Sequence, residues 1–100
     1  MKREITLAQA LTVLLTNNVP GQNISYTISF DEVSRYIKFG KGYNPFYRQT
    51  TWTISSMGRI VSFENSNVDE FLTTLFNDDY IGIRAGQKKF HVWEVVNDEK

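Results

Sequence analysis

The chain has 100 residues, 41% hydrophobic and 22% charged, with a formal net charge of zero. Such totals are typical of one globular domain, so we expect a single domain over residues 1–100. The sequence contains no cysteine, which excludes disulfides and thiolate sites. It also lacks the ~20 consecutive apolar residues that a bilayer span needs. We therefore expect a cytoplasmic protein that makes no membrane contact.

The first predicted element is a helix. Four leucines recur at the spacing of one helix face: Leu7, Leu11, Leu14 and Leu15. Thr6 and Gln9 form a capping-box pattern at its start. Pro20 and Gly21 follow it, and neither continues a helix readily. The pattern predicts a helix over about residues 6–17.

The next segment predicts a strand and then a helix. Apolar residues alternate with polar ones over Ile24–Ile28, which is typical of a half-buried strand. Ser29 and Glu32 form a second capping-box pattern, and Gly40 stands where a helix would end. We therefore predict a helix over 31–39, with a strand paired back onto 24–28 as the alternative.

The middle of the chain predicts a loop and a hairpin. Gly40–Pro45 has the composition of a loop. Tyr47–Ser55 is rich in threonine and aromatic residues, and it predicts a strand whose partner is Ile60–Phe63 across the turn at Gly58.

The last part predicts a helix and a second hairpin. Apolar residues at helical spacing, preceded by Ser66 as a cap, predict a helix over about 66–77. Tyr80–Arg84 and Phe90–Val96 predict two paired strands, the second central in its sheet because it is apolar on both faces. The fold class is therefore α+β, in the order α-β-α-β-β-α-β-β, with helices on a mostly antiparallel sheet.

Charge is segregated along the chain. Residues 33–63 carry five cations and no acid, whereas residues 64–79 carry five acids and no base. Segment 35–59 also holds six aromatic residues between its cations. Interleaved cations and aromatic rings suit a single-stranded nucleic acid, a protein hot spot, or a buried core with a solvated outer face.

Catalytic and metal-binding patterns are missing. His91 is the only histidine, and one histidine without cysteine does not complete a typical zinc site. We interpret His91 as a structural residue of the core or surface. The sequence contains no nucleophile elbow and no full phosphate loop. We therefore expect a non-enzymatic protein without a metal or cofactor.

The stretches Phe30–Val33, Gly58–Val61 and Trp93–Val96 resemble, in part, small phage proteins that block bacterial defence systems. That family shows a helix followed by Gly-Trp, a Gly-Lys-Ile-Val-like hairpin and a closing Asp-Trp-x-Val. Here the Gly-Trp pair is missing, and Trp93 follows Val92 rather than an acid. The resemblance suggests a phage or mobile-element accessory protein that binds a host protein, and it carries over no binding residues.

We expect a small binding or regulatory protein that contacts another protein. The candidate contact residues lie in and after the predicted Gly40–Pro45 loop: Lys41, Tyr43, Phe46 and Arg48. Binding of single-stranded nucleic acid through segment 35–59 is the first alternative. Self-association is the second, because segregated opposite charges can pair between two copies.

Overall fold

The computed structural model describes residues 2–17, 23–31, 36–56, 58–76 and 90–95. In chain order the elements are β1 (Lys2–Ile5), α1 (Leu7–Thr16), β2 (Ile24–Phe30), β3 (Tyr36–Asn44), β4 (Gln49–Ser56), β5 (Arg59–Glu64), α2 (Val68–Leu75) and β6 (Phe90–Val95). A short 3-10 helix, Asn65–Asn67, leads into α2.

The strands form one six-stranded sheet in the order β1-β6-β2-β3-β4-β5. Every neighbouring pair in this sheet is antiparallel. The antiparallel α+β architecture is therefore confirmed, although the chain contains more sheet than we predicted. As expected for a strand that is apolar on both faces, β6 has a neighbour on each side.

One hydrophobic cluster joins the sheet to both helices. Its sheet residues share a face, because Phe39 lies opposite Tyr26 on β2 and opposite Ile54 on β4. The cluster comprises Ala10, Leu14, Tyr26, Ile28, Ile37, Phe39, Trp52, Ile54, Phe71, Leu75 and Val92. We call the sheet face that carries these residues the core face, and the other the second face.

The prediction for the first helix is confirmed. α1 begins after Thr6, whose hydroxyl accepts a hydrogen bond of 3.0 Å from the Gln9 backbone nitrogen. The Gln9 side chain in turn accepts a 2.9 Å bond from the Thr6 backbone nitrogen. α2 and β5 likewise fall within or beside their predicted ranges, but Ser66 is not the cap of α2: it lies in the 3-10 helix, and the N-cap position is Asn67. The predicted strand Tyr80–Arg84 lies outside the described residues.

The helix predicted over 31–39 is wrong where the structure describes it, because Tyr36–Asn44 is strand. The alternative, a strand paired onto 24–28, is confirmed by the β2–β3 register. Ile37 and Phe39 are buried while Tyr36 and Lys38 are exposed, an alternation of period two rather than 3.6. Ser29 is not a cap, since it lies in β2 and its hydroxyl accepts a 2.9 Å hydrogen bond from Trp93 Nε1.

Two further differences concern β1 and the predicted loop. The strand Lys2–Ile5 is not predicted from the sequence. It pairs with β6, which is the last described element of the chain, and Lys2 lies opposite Val95. The predicted loop Gly40–Pro45 is wrong, because β3 continues through Asn44 and the turn falls at residues 45–48. Glycine at positions 40 and 42 therefore serves a strand and not a loop.

Close approach of β2 explains those two glycines. A Cβ atom on Gly40 would overlap the carbonyl oxygen of Ile24 and lie 2.7 Å from Ser25 Cα. A Cβ on Gly42 would overlap the side-chain oxygen of Asn23, which is the end of a movable group. Backbone has less freedom to withdraw than a side chain, so the two glycines tolerate substitution differently.

We expect Gly40→Ala to lower the free energy of unfolding by about 1–3 kcal/mol, the usual range for overpacking a tight site. Gly42→Ala should cost less, because Asn23 can rotate away at the loss of one exposed hydrogen bond, which its side-chain oxygen accepts from the Tyr43 backbone nitrogen. Urea denaturation of both variants measures the difference. Equal losses would show that the Ile24 carbonyl is not the constraint.

Candidate functional site at the tip of the β3–β4 hairpin

A four-residue turn closes the β3–β4 hairpin. Asn44 and Gln49 form the last cross-strand pair, which leaves residues 45–48 as the turn. The Asn44 side-chain oxygen accepts hydrogen bonds from the backbone nitrogens of Phe46, at 2.9 Å, and Tyr47, at 3.4 Å. Such a side-chain-to-backbone bond is a usual way for asparagine to hold a turn. The Asn44 side chain thus supports the backbone of the turn.

Arg48 completes the turn in an unusual backbone conformation. Its φ angle of 57° makes it the one non-glycine residue with positive φ in the described part of the chain. Four-residue hairpin loops need a sharp reversal before the returning strand, and a left-handed residue supplies it. Arg48 is exposed, and no salt bridge to it is found among the described residues.

The turn presents aromatic side chains to solvent. Phe46 is 85% exposed and Tyr47 60% exposed, and their rings meet edge to face at 5.4 Å. Tyr43, at the end of β3, is 45% exposed. We call Tyr43, Phe46, Tyr47 and Arg48 the tip cluster. Clusters of exposed aromatic residues often mark interaction sites. Single exposed aliphatic residues do so less often.

Of the four predicted contact residues, the structure brings Tyr43, Phe46 and Arg48 into the tip cluster and sets Lys41 apart. Lys41 is half-buried on β3, and its Nζ donates a hydrogen bond to the backbone oxygen of Asn17. The same Nζ lies 4.9 Å from the centre of the Trp52 ring. Burial lowers the pKa of Lys41 below its usual range. These contacts are those of a structural cation.

Tyr47 is the tip residue that is not among the predicted contacts. The sequence predicts it at the start of a strand, whereas β4 begins at Gln49. The Asn44-Pro45 dipeptide is a turn signal and could have indicated that the next two residues leave the strand. The turn then exposes both aromatic residues that follow the proline.

Apart from the tip cluster, two carboxylates surround His91 on β6. Its Nδ1 lies 2.7 Å from a carboxylate oxygen of Glu4, on β1, and its Nε2 lies 2.7 Å from one of Asp31, just after β2. These hydrogen bonds raise the pKa of His91 above its ordinary value of 6.5. The bond with Glu4 has the largest effect, and the bond with Asp31 follows. A protonated ring can donate to both carboxylates at once. His91 thus ties β1 to the end of β2.

The remaining chemistry of the described residues is sparse. Across those residues, no cluster of three or more histidine, aspartate or glutamate side chains is arranged to hold a metal ion. None of the helices described is both long and apolar enough to cross a membrane. Comparison of the chain with family models, with curated proteins and with solved structures found no match.

We expect Lys41→Ala to lower the free energy of unfolding by about 1–2 kcal/mol, since it removes a hydrogen bond and a cation–π contact. Lys38→Ala is the matched control, because Lys38 is exposed on the second face of the same strand. Its effect should stay within about 0.5 kcal/mol. Urea denaturation of both variants provides the comparison, and equal losses would contradict a structural role for Lys41.

The His91 arrangement predicts a pH-dependent stability. Because folding raises this pKa, the stabilising contribution is complete below the unfolded value of 6.5 and is lost as the pH rises through the folded value. The melting temperature of the native protein should therefore exceed that of His91→Gln most at about pH 5.5 and least at about pH 9. Glu64→Gln, at an exposed carboxylate, should leave the profile unchanged. A constant difference across this range would refute the arrangement.

Proposed function

We propose that this chain is a non-enzymatic binding module that contacts another protein through the tip cluster. The observation that carries the proposal is the pair Phe46 and Tyr47, 85% and 60% exposed on a turn held by Asn44. Exposing a phenylalanine to water costs free energy that burial in a partner would recover. A buried role for either ring would not produce this exposure.

The composition of the tip cluster suits a binding hot spot. Tyrosine and arginine are among the residues that contribute most to protein interfaces. The Asn44 hydrogen bonds hold the turn before any partner arrives, and a preformed turn loses less conformational entropy on binding. The cluster therefore offers both contact area and preorganisation.

The shape and charge of the tip indicate the kind of partner. A hairpin end is convex, so the complementary surface is a concave apolar pocket that takes the rings of Phe46 and Tyr47. Arg48 stands beside them, and an acidic group at the rim of that pocket would pair with it. We propose a host protein as the partner of a phage or mobile-element accessory protein in the cytoplasm.

Binding of single-stranded nucleic acid is a second candidate, supported by another part of β3. Tyr36 is 63% exposed and shares the second face with Lys38, two residues along the strand. Exposed rings beside cations suit base stacking and phosphate contact. This candidate uses the sheet surface rather than the hairpin tip, so the two can be separated by mutation.

The test is recovery of a partner by the tagged chain from a cognate lysate, followed by titration of the purified partner. We expect the double variant Phe46→Ala and Tyr47→Ala to weaken binding about 30-fold or more, as the loss of an interface hot spot does. Arg48→Asn, which suits the left-handed backbone, should weaken it by a smaller factor. Melting temperatures should barely change, because these side chains are exposed.

Ile60→Ala is the matched control, since Ile60 is 71% exposed on β5, away from the turn. Loss of binding in this control would indicate nonspecific adhesion, and full binding by the tip double variant would place the site elsewhere. Nuclease-sensitive recovery that falls steeply with salt, and that Tyr36→Ala abolishes, would favour the nucleic-acid candidate. Recovery of the chain itself would indicate self-association.

A further inference from the structure

A cavity lies between α1 and the β1 side of the sheet, remote in the sequence from the hairpin tip. Its volume is about 440 Å³, within the usual range of small-molecule sites. The residues that line it come from β1, α1, β2 and β6. It is therefore built by elements that are distant in the chain and meet only in the folded protein.

Three of the side chains that line the cavity are small or medium-sized and apolar. Ile5 lies at the end of β1, while Ala8 and Val13 come from α1. Val13 is 40% exposed, so its side chain is partly open to solvent. The apolar part of a bound small molecule would lie against these three side chains and remove them from water.

Tyr26, on β2, is the residue with a phenol hydroxyl among those that line the cavity. Tyr26 is only 5% exposed, and among the described residues its phenol group makes no hydrogen bond. The pKa of the Tyr26 phenol is raised, mainly by burial and to a smaller extent by the charge of Glu94. The phenol is therefore protonated and acts as a hydrogen-bond donor. Polar groups of largely buried residues usually have a hydrogen-bond partner, and a ligand that carries an acceptor could supply one to the Tyr26 hydroxyl.

The polar groups around Tyr26 are balanced in charge. Arg3 and Glu94 form a salt bridge directly across β1 and β6. The Gln9 side-chain oxygen is already used at the helix cap, which leaves its amide nitrogen as a donor. The site therefore offers donors from Tyr26 and Gln9 and acceptor capacity from Glu94, with no net charge.

We propose that this cavity binds a small uncharged molecule that carries an amide group on an apolar body. The amide carbonyl accepts the hydrogen bond of the Tyr26 hydroxyl, and the amide N–H donates to Glu94. The apolar body lies along Ile5, Ala8 and Val13. A carboxylate would face Glu94, and a hydrocarbon would leave the Tyr26 hydroxyl unpaired.

Three probes of nearly the same size test this choice: benzamide, benzoate and toluene. Chemical shifts of the intact protein, followed by NMR at matched probe concentrations, should show saturable binding of benzamide in about the millimolar range, localised to α1 and β1. Benzoate and toluene should bind more weakly. Tyr26→Phe, which keeps the ring, should weaken benzamide roughly 3- to 10-fold, the effect of one neutral hydrogen bond.

Thr50→Val is the control, because it removes a hydroxyl on β4, which does not line the cavity. It should leave benzamide binding unchanged. Absence of saturable benzamide shifts would show that the cavity holds solvent only and would overturn the proposal. So would equal affinity for toluene, tighter binding of benzoate, or undiminished binding by Tyr26→Phe. These outcomes are independent of the tip variants, so either proposal can fail without the other.

Discussion

Pairing of β3 with β2 on one side and β4 on the other is the constraint on which the rest of the structure depends. Phe39, in the middle of β3, is fully buried between Tyr26 and Ile54, so the register of three strands meets at one side chain. A slip of one residue would move Phe39 to the second face and bring Lys38 into the core. The position of every neighbouring element follows from this register.

The same strand connects the core to the candidate binding surface. Along the core face of β3, Phe39 is buried, Lys41 is half-buried against Trp52, and Tyr43 is exposed at the end. The Lys41 stem and charge thus lie where the packed interior meets solvent, as amphipathic side chains commonly do. The turn at residues 45–48 follows β3 directly, and β3 is paired on both sides. The turn therefore has little freedom to reorient, which favours a preformed contact surface.

The sequence predicted what depends on neighbours along the chain and failed where distant residues decide. The Thr6 capping box is local, and it was right. Tyr36 was assigned to a helix because spacings of three and four residues also occur by chance in a short strand, and pairing with β2 decided between the alternatives. β1 gains its structure from β6, and His91 acquires Glu4 and Asp31 from 87 and 60 residues away. In the candidate site, aromatic enrichment indicated Tyr43 and Phe46, but only the folded structure shows that Lys41 is held by Asn17 and Trp52 instead.

The position of β6 between β1 and β2 has a consequence for how the protein is made. The first two strands of the chain are not neighbours; each waits for a strand that is synthesised last among the described elements. Without β6, one edge of β2 would lack its partner in the described sheet, and β1 would have no strand to pair with. Contacts of such sequence separation slow folding and prolong the exposure of strand edges. Completion of the described sheet therefore depends on β6 pairing with two strands from the start of the sequence, across the longest separations in the described chain.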